Sequence, residues 1–423
     1  MGAYLSAPDT RKESEGGECR DGFTYGCSSM QGWRRSQEDA HIACDLPDGT
    51  TVFGVFDGHG GREVSAFAKR HFGKVLASQP QFSSDLPASL IGSFHRIDEM
   101  LEDKDNLPEV RALKKDPRVP ADEGADASSS ADKDAADDEG ASGKGKVSIT
   151  EAVDLFQKIV SLKRQQAASA SSGAVVASGT AGAAADEEVA VRQGGAAASG
   201  GPSSALLAGG GLGGVGGGAA AEALGRQVCS LPPSHIDAGA TSVVAAVRGR
   251  TLFVANAGDS RAILSRRGKA IPLSTDHKPA LSSEMARITS AGGFVTAQGR
   301  VNGNLNLSRA LGDLKYKVDK ARGRHEQIIT AHPDVTTHTI EKGDEFMVLA
   351  CDGVWDCMTN QQVVDFVRER IRSTPLPEIC EQILDHCIAD DPKTTGGIGG
   401  DNMTCIIVNL AVPTEKGPPI WTR

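Results

Sequence analysis

The chain has 423 residues, room for two or three average domains or for one large domain with an insertion. Its 39% hydrophobic content and its 50 glycines, many crowded into one internal region, favour the single split domain. A net charge of −10 and a pI of about 5.5 argue against nonspecific nucleic-acid binding, which needs clustered lysine and arginine to neutralise phosphates.

The chain begins Met1-Gly2-Ala3-Tyr4-Leu5-Ser6, which fits the N-myristoylation pattern with Gly2 as acceptor. One acyl chain gives only reversible membrane contact. Residues 1–22 read as a flexible leader. Globular sequence follows over 23–102. Thr51 to Phe56 is an apolar strand that runs into Asp57-Gly58-His59-Gly60-Gly61. Arg62 to Leu76 carries helix-period apolar positions at Val64, Phe67, Ala68, Phe72 and Val75, and Leu90 to Leu101 carries Ile91, Phe94, Ile97 and Leu101 on one face.

The composition then changes. Residues 103–233 include an acidic Ala/Ser-rich tract from Asp122 to Glu139 and an Ala/Gly/Ser-rich tract from Ala167 to Leu224. Such segments bury too little apolar surface to offset ordering entropy, so the region reads as a disordered insert. One helix, from about Ile149 to Gln165 and opened by the capping box Ser148 to Glu151, interrupts it. The globular body resumes over 234–412, and 413–423 is a tail. Thr241–Val247, Thr251–Ala257 and Arg261–Ser265 form a meander punctuated by Arg248-Gly249 and Gly258-Asp259-Ser260. A helix at Ser283–Ser290, strands at Asp334–Ile340 and Glu345–Cys351, helices at Asn360–Ile371 and Pro377–Ala389 and a strand at Met403–Leu410 complete the body. Strand runs mixed with paired helices, without βαβ alternation, predict an α+β fold of antiparallel sheets with helices outside.

The nine cysteines are scattered and lack Cys-x-x-Cys spacing, which suits buried, reduced thiols in an intracellular protein. No apolar run is long enough to span a bilayer. Carboxylates instead gather at strand ends. Asp57-Gly58 and Asp352-Gly353 each follow an apolar strand, Glu38-Asp39 is an acidic pair, and Asp401-Asn402 precedes the last strand. Oxygen ligands of this kind suit magnesium or manganese, and no Cys-rich or His-rich cluster competes for a metal.

The runs Gly32-Trp33-Arg34-Arg35-Ser36-Gln37-Glu38-Asp39-Ala40-His41, Asp57 to Gly61, Ala257-Gly258-Asp259-Ser260-Arg261, Asp276-His277-Lys278-Pro279, Leu307 to Asp313, Cys351-Asp352-Gly353-Val354-Trp355 and Asp401-Asn402-Met403-Thr404 occur in one order. In these the chain resembles the type 2C metal-dependent protein serine/threonine phosphatases, and its leader and acidic insert resemble the gamma-type members. The resemblance implies a monomeric enzyme with a four-layer α-β-β-α sandwich that hydrolyses phosphoserine and phosphothreonine in phosphoprotein substrates. It implies direct attack by a hydroxide bridging two Mn2+ or Mg2+ ions. Asp57, Gly58, Asp352 and Asp401 are then the metal ligands. Glu38 and Asp39 hold metal-bound waters or the metal itself, Arg34 binds phosphate, and His59 is the general acid. Asp259 is either a turn aspartate or a ligand of a weak third ion. Arg309 and Asp313 are expected to stabilise a flap between Ser282 and Asp313; His41 and His277 are expected to be structural, and Trp355 to belong to the core. The expected location is the cytoplasm with membrane association, with the nucleus as the alternative. A pseudophosphatase, a scaffold acting through the insert, and a small-molecule phosphatase are the rival readings; the presence of Asp57, Asp352 and Asp401 weighs against the first.

Overall fold

The computed structural model describes residues 4–115 and 236–411. Gly2, the helix expected near Ile149 to Gln165, most of the expected insert and the expected tail lie outside these residues. The described body contains two antiparallel sheets. One has the order β1-β2-β12-β11-β7-β8, from β1 (Asp9–Glu18), β2 (Thr24–Gly32), β7 (Arg261–Arg266), β8 (Lys269–Pro272), β11 (Asp344–Ala350) and β12 (Met403–Asn409). The other has the order β10-β6-β5-β4-β3, from β3 (Ala40–Asp45), β4 (Thr51–His59), β5 (Gly239–Arg248), β6 (Thr251–Ala257) and β10 (Asp334–Thr339). The short β9 (Leu311–Gly312) pairs with β5.

The central strands are apolar at nearly every position because both faces are covered. Successive side chains point to opposite faces. On β4, Phe53 and Val55 face the other sheet while Val52 and Phe56 face helices; on β5, Val243, Ala245 and Val247 face the other sheet while Val244 and Ala246 face helices. Met347 and Leu349 on β11 and Ile406 and Val408 on β12 supply the opposing half of the layer between the sheets. Helices α1 (Glu63–Ala77), α2 (Leu86–Glu102) and α3 (Leu107–Leu113) cover the β3–β6 side with Phe67, Phe72, Leu90, Phe94 and Val110. The opposite side is covered by α5 (Asp352–Trp355), α6 (Asn360–Arg370) and α7 (Leu376–Cys387), through Val363, Val367, Ile379 and Ile383. Trp355 belongs to this last cluster, and its indole N–H donates to the Ala350 carbonyl at 2.8 Å. The four-layer α-β-β-α arrangement expected from the sequence is therefore present.

Two boundaries differ from expectation. Much of the supposed flexible leader is β1, paired with β2 from Glu18 opposite Thr24 to Asp9 opposite Gly32. Its ten residues, Asp-Thr-Arg-Lys-Glu-Ser-Glu-Gly-Gly-Glu, contain no apolar side chain, so no burial pattern marks it. Backbone pairing holds it, together with Lys12 on Asp385 at 2.6 Å and Ser14 on Glu381 at 2.6 Å, both acceptors on α7. The body also runs beyond residue 102, because α3 buries Val110 against α1 and α2.

Helix α4 (Ser282–Ser290) belongs to an excursion between β8 and β10 with its own small core of Ile288, Val301, Leu307, Ala310, Tyr316 and Ile329. Glu284 anchors it. Its carboxylate accepts from Arg309 at 2.7 Å, Arg287 at 2.6 Å and the Ser308 hydroxyl at 2.7 Å. Burial alone would raise the Glu284 pKa, but the two guanidinium groups and the hydroxyl pull it down to about 2. Arg309 continues to Asp334 at 2.8 Å and the His332 carbonyl at 3.0 Å, so it secures the flap as expected.

Candidate metal centre

Strand pairing brings the acidic runs to one end of the two sheets. Asp57, Gly58 and His59 form the last three positions of β4, opposite Thr241, Ala240 and Gly239 on β5. Asp352 is the first residue of α5, just past the end of β11. Asp401 precedes β12, which pairs with β11 on one side and β2 on the other. Asn402 latches these segments together. Its amide donates to the Gln31 carbonyl at 2.8 Å and the Ser36 carbonyl at 3.0 Å, while its oxygen accepts from the Glu38 backbone at 2.9 Å.

Gly58 is required sterically. A Cβ there would lie 2.9 Å from Ser65 Oγ and closer still to the Glu38 carbonyl. That contact draws the acidic pair against β4. The Glu38 carboxylate accepts from Ser36 Oγ at 2.8 Å and from the Gly61 backbone N–H at 3.1 Å. Asp39 is buried. One of its oxygens accepts from Thr404 Oγ1 at 2.7 Å; the other has no hydrogen-bond partner. Asp39, Asp57 and Cys351 present ligand atoms within 4.8 Å of one another.

The electrostatics are those of a site short of positive charge. Burial pushes the Asp57 carboxyl well above its usual range, and Asp39, Asp352, Asp401 and Asp259 push it further. Asp352 is raised in the same way by burial, then by Asp259, Asp401 and Asp356. Burial also lifts Asp39 to about 6, despite the Thr404 hydrogen bond. Asp401 is raised by burial and moderated by Arg34, whose guanidinium reaches it at 2.6 Å. Like-charged buried carboxylates are unfavourable without compensating cations. The donors are nearly all oxygen, one Asp39 oxygen is unpartnered, and a glycine exposes the β4 backbone, so the residues fit hard divalent ions.

His59 lies beside this cluster. Its Nε2 is 2.7 Å from Oδ2 of buried Asp313. Burial would lower the imidazole pKa, but the Asp313 charge and hydrogen bond outweigh it and the net shift is upward. Gly239 makes room for the pair, since a Cβ there would lie 2.6 Å from His59 Nε2 and closer still to Asp313 Oδ2. Asp313 itself holds a left-handed backbone at φ 49° and so leaves the flap to face His59, rather than bracing the flap as the sequence suggested.

Asp259 is buried, and its carboxylate is 2.6 Å from Lys278 Nζ. His277 is structural: it takes the Gly258 N–H on Nδ1 at 3.2 Å and lies 3.1 Å from Asp334 through Nε2. Sequence reasoning gave no role to Asp356 or Gly239, or to Lys278, Asn402 and Thr404, which stand within the quoted runs. Asp356 could have been found, since it follows Asp352 by one helical turn on the same face. The contacts of the others form only in the folded chain, as Thr404 meets Asp39 and Asn402 meets Gln31.

Fold and site together define a metal-binding hydrolase built on a two-sheet sandwich. The family model described as protein phosphatase 2C matches residues 23–131 and 220–396. The chain is 39% identical over 419 residues to probable protein phosphatase 2C 60 of Arabidopsis thaliana, covering 98% of this chain and 94% of that protein. It is 36% identical to probable protein phosphatase 2C 58 of Oryza sativa subsp. japonica, covering 98% and 91%. A phosphatase structure from Toxoplasma gondii shares the fold at TM-score 0.54 and 20% identity, covering 96% of this chain and 98% of that one. The chain belongs to the protein phosphatase 2C family: it is a metal-dependent protein serine/threonine phosphatase acting on phosphoproteins.

Proposed function

We propose that the protein is a gamma-type member that hydrolyses phosphoserine and phosphothreonine in one step, without a phosphoenzyme. The observation that carries this reading is the convergence of Asp57, Asp352 and Asp401 in a half-buried cluster whose pKa values are all raised. Two Mn2+ or Mg2+ ions are the proposed complement, held by Asp57, the Gly58 carbonyl, Asp352 and Asp401, with Glu38 and Asp39 in support. Bound there, such ions supply an activated water and neutralise phosphoryl charge.

The chain's own groups do the rest. Arg34 is half-exposed above Asp401, so its planar fork can take phosphate oxygens from the solvent side. His59 is the proton donor to the departing serine or threonine oxygen. Asp313 holds the imidazole by Nε2 and favours its protonated form. A weak third ion at Asp259 would have to displace Lys278 from that carboxylate. The protein is proposed to act as a monomer. Reversible membrane contact through myristoylated Gly2 would place it in the cytoplasm and at membranes, with the nucleus as the alternative. Purified protein should dephosphorylate a phosphothreonine peptide only when Mn2+ or Mg2+ is added. Equal turnover in excess chelator would remove the reading.

A further inference from the structure

A second group of metal-ligating side chains lies outside the catalytic centre. Glu15 on β1, Cys27 on β2 and His41 on β3 bring a carboxylate oxygen, a thiol sulfur and an imidazole nitrogen within 4.8 Å of one another. Glu15 and Cys27 are directly opposite in the β1–β2 ladder, whereas His41 comes from the other sheet. Cys27 and His41 are buried, and Glu15 closes the group from the exposed edge strand. We propose that Glu15, Cys27 and His41 form a zinc site that ties the edge strand β1 to both sheets.

The separations carry the argument. A tetrahedral zinc with bonds of about 2.0 Å to nitrogen and oxygen and about 2.3 Å to sulfur spaces its ligands at about 3.3 Å for N to O and about 3.5 Å for S to O. Here His41 Nε2 is 3.3 Å from Glu15 Oε1, and Cys27 Sγ is 3.6 Å from the same oxygen. The donor set also selects the metal. One thiolate, one imidazole and one carboxylate suit zinc, while magnesium and manganese prefer oxygen alone. Three protein ligands leave a fourth position for water on the exposed side. Without metal, Glu15 pairs with His41, and burial, followed by the Glu15 charge, pushes the Cys27 thiol up to about 12. Zinc binding therefore releases the Cys27 proton as the sulfur–metal bond forms. Lys69, exposed on α1, acts electrostatically on both Glu15 and Cys27 and favours their charged forms. The proposal does not depend on the catalytic reading.

Cobalt substitution tests it, because a thiolate gives a near-ultraviolet charge-transfer band that oxygen ligands do not. The full chain, stripped of metal, is titrated with Co2+ and then with Zn2+. The band should appear in the wild type, in Asp57→Asn and in Cys351→Ala, disappear in Cys27→Ser, and be bleached by Zn2+. Zinc at about a hundredfold excess over its Kd should raise the melting temperature of Asp57→Asn by about 4 °C, and this rise should vanish when Cys27→Ser is added. Glu15→Gln, at an exposed position, should weaken zinc binding at least tenfold if Cys27→Ser does not fold. Phosphopeptide turnover of Cys27→Ser should be unchanged. A wild type without the band, or a band lost in Cys351→Ala and kept in Cys27→Ser, would overturn the proposal: the group would then be an ion pair beside a buried thiol.

Discussion

Two acidic centres among the described residues have opposite electrostatics. Around Asp57 and Asp352, carboxylates crowd one another and every resolved shift is upward. Around Glu284, one carboxylate meets two guanidinium groups and a hydroxyl, and its pKa falls to about 2. Withdrawal from water raises the carboxyl pKa in both, so burial alone does not separate them. What separates them is whether the chain supplies its own counter-charge. The flap anchor is complete within the chain; at the sheet ends Arg34 reaches Asp401 and Lys278 reaches Asp259, yet Asp57, Asp352 and Asp401 stay raised.

The sharpest break of this comparison is Asp57→Asn. It should lower phosphopeptide turnover about a thousandfold, equivalent to several kcal/mol of lost transition-state stabilisation. In the metal-free protein the same change relieves repulsion, so melting measured in chelator should rise. A fall in both would show that Asp57 holds the fold rather than a metal. Glu284→Gln should do the reverse. Leaving Arg287 and Arg309 without their buried partner should cost about 3 kcal/mol by denaturant unfolding, and the loss should not be recovered by Mn2+.

The two centres should also part company with pH. Glu284 is depressed from 4.5 to about 2, so its contribution is full above pH 4.5 and is lost as pH falls toward 2. Asp39 is raised from 3.8 to about 6, so its contribution to metal-free stability falls as pH rises between those values. Chelated protein carrying Glu284→Gln should lose the acid-side slope, and protein carrying Asp39→Asn should lose the other. A profile unchanged by either substitution would sink the distinction.

His59→Gln sharpens the comparison at the chemical step. Turnover of a phosphothreonine peptide should fall about a hundredfold, and that of p-nitrophenyl phosphate much less, because nitrophenolate leaves without a proton. Equal losses would remove the general-acid role. The smallest effect is expected at the insert. Replacing residues 116–235 with a short Gly-Ser linker should leave melting temperature and peptide turnover nearly unchanged, since closure entropy grows slowly with loop length.

What could be read in advance follows physical lines. The bounds of Thr241–Val247, Thr251–Ala257 and Arg261–Ser265 were legible because apolar runs alternate with turn residues, and β5 to β7 match them closely, but the expected meander stops at the β5–β6 hairpin: β7 crosses to the other sheet and pairs with β8 and β11, a change of partner that the turn residues do not encode. The strand-end aspartates were legible because an acid directly after a buried strand is unusual. Strand β1 was not, since an all-polar edge strand has no burial signature. The pairing of His59 with Asp313 joins residues 254 apart in sequence and depends on Gly239 leaving space between them. Glu15, Cys27 and His41 likewise meet only after two sheets stack, so spacing along the chain does not announce them.

The position of β12 bears on how the enzyme is made. This last strand does not sit at an edge; it fills the slot between β2 and β11, with Met403 opposite Met30. On a ribosome adding about 5–20 residues per second, β2 has β1 at once but must wait for all the other described strands before its second partner, β12, emerges. The second sheet can pair β4 with β5 much earlier, but Asp401 arrives only with the final strand. The first sheet of the nascent body therefore stays open between β2 and β11 until β12 is made. A message truncated just before Met403 would yield a protein with an open seam through its first sheet, exposed to aggregation and degradation.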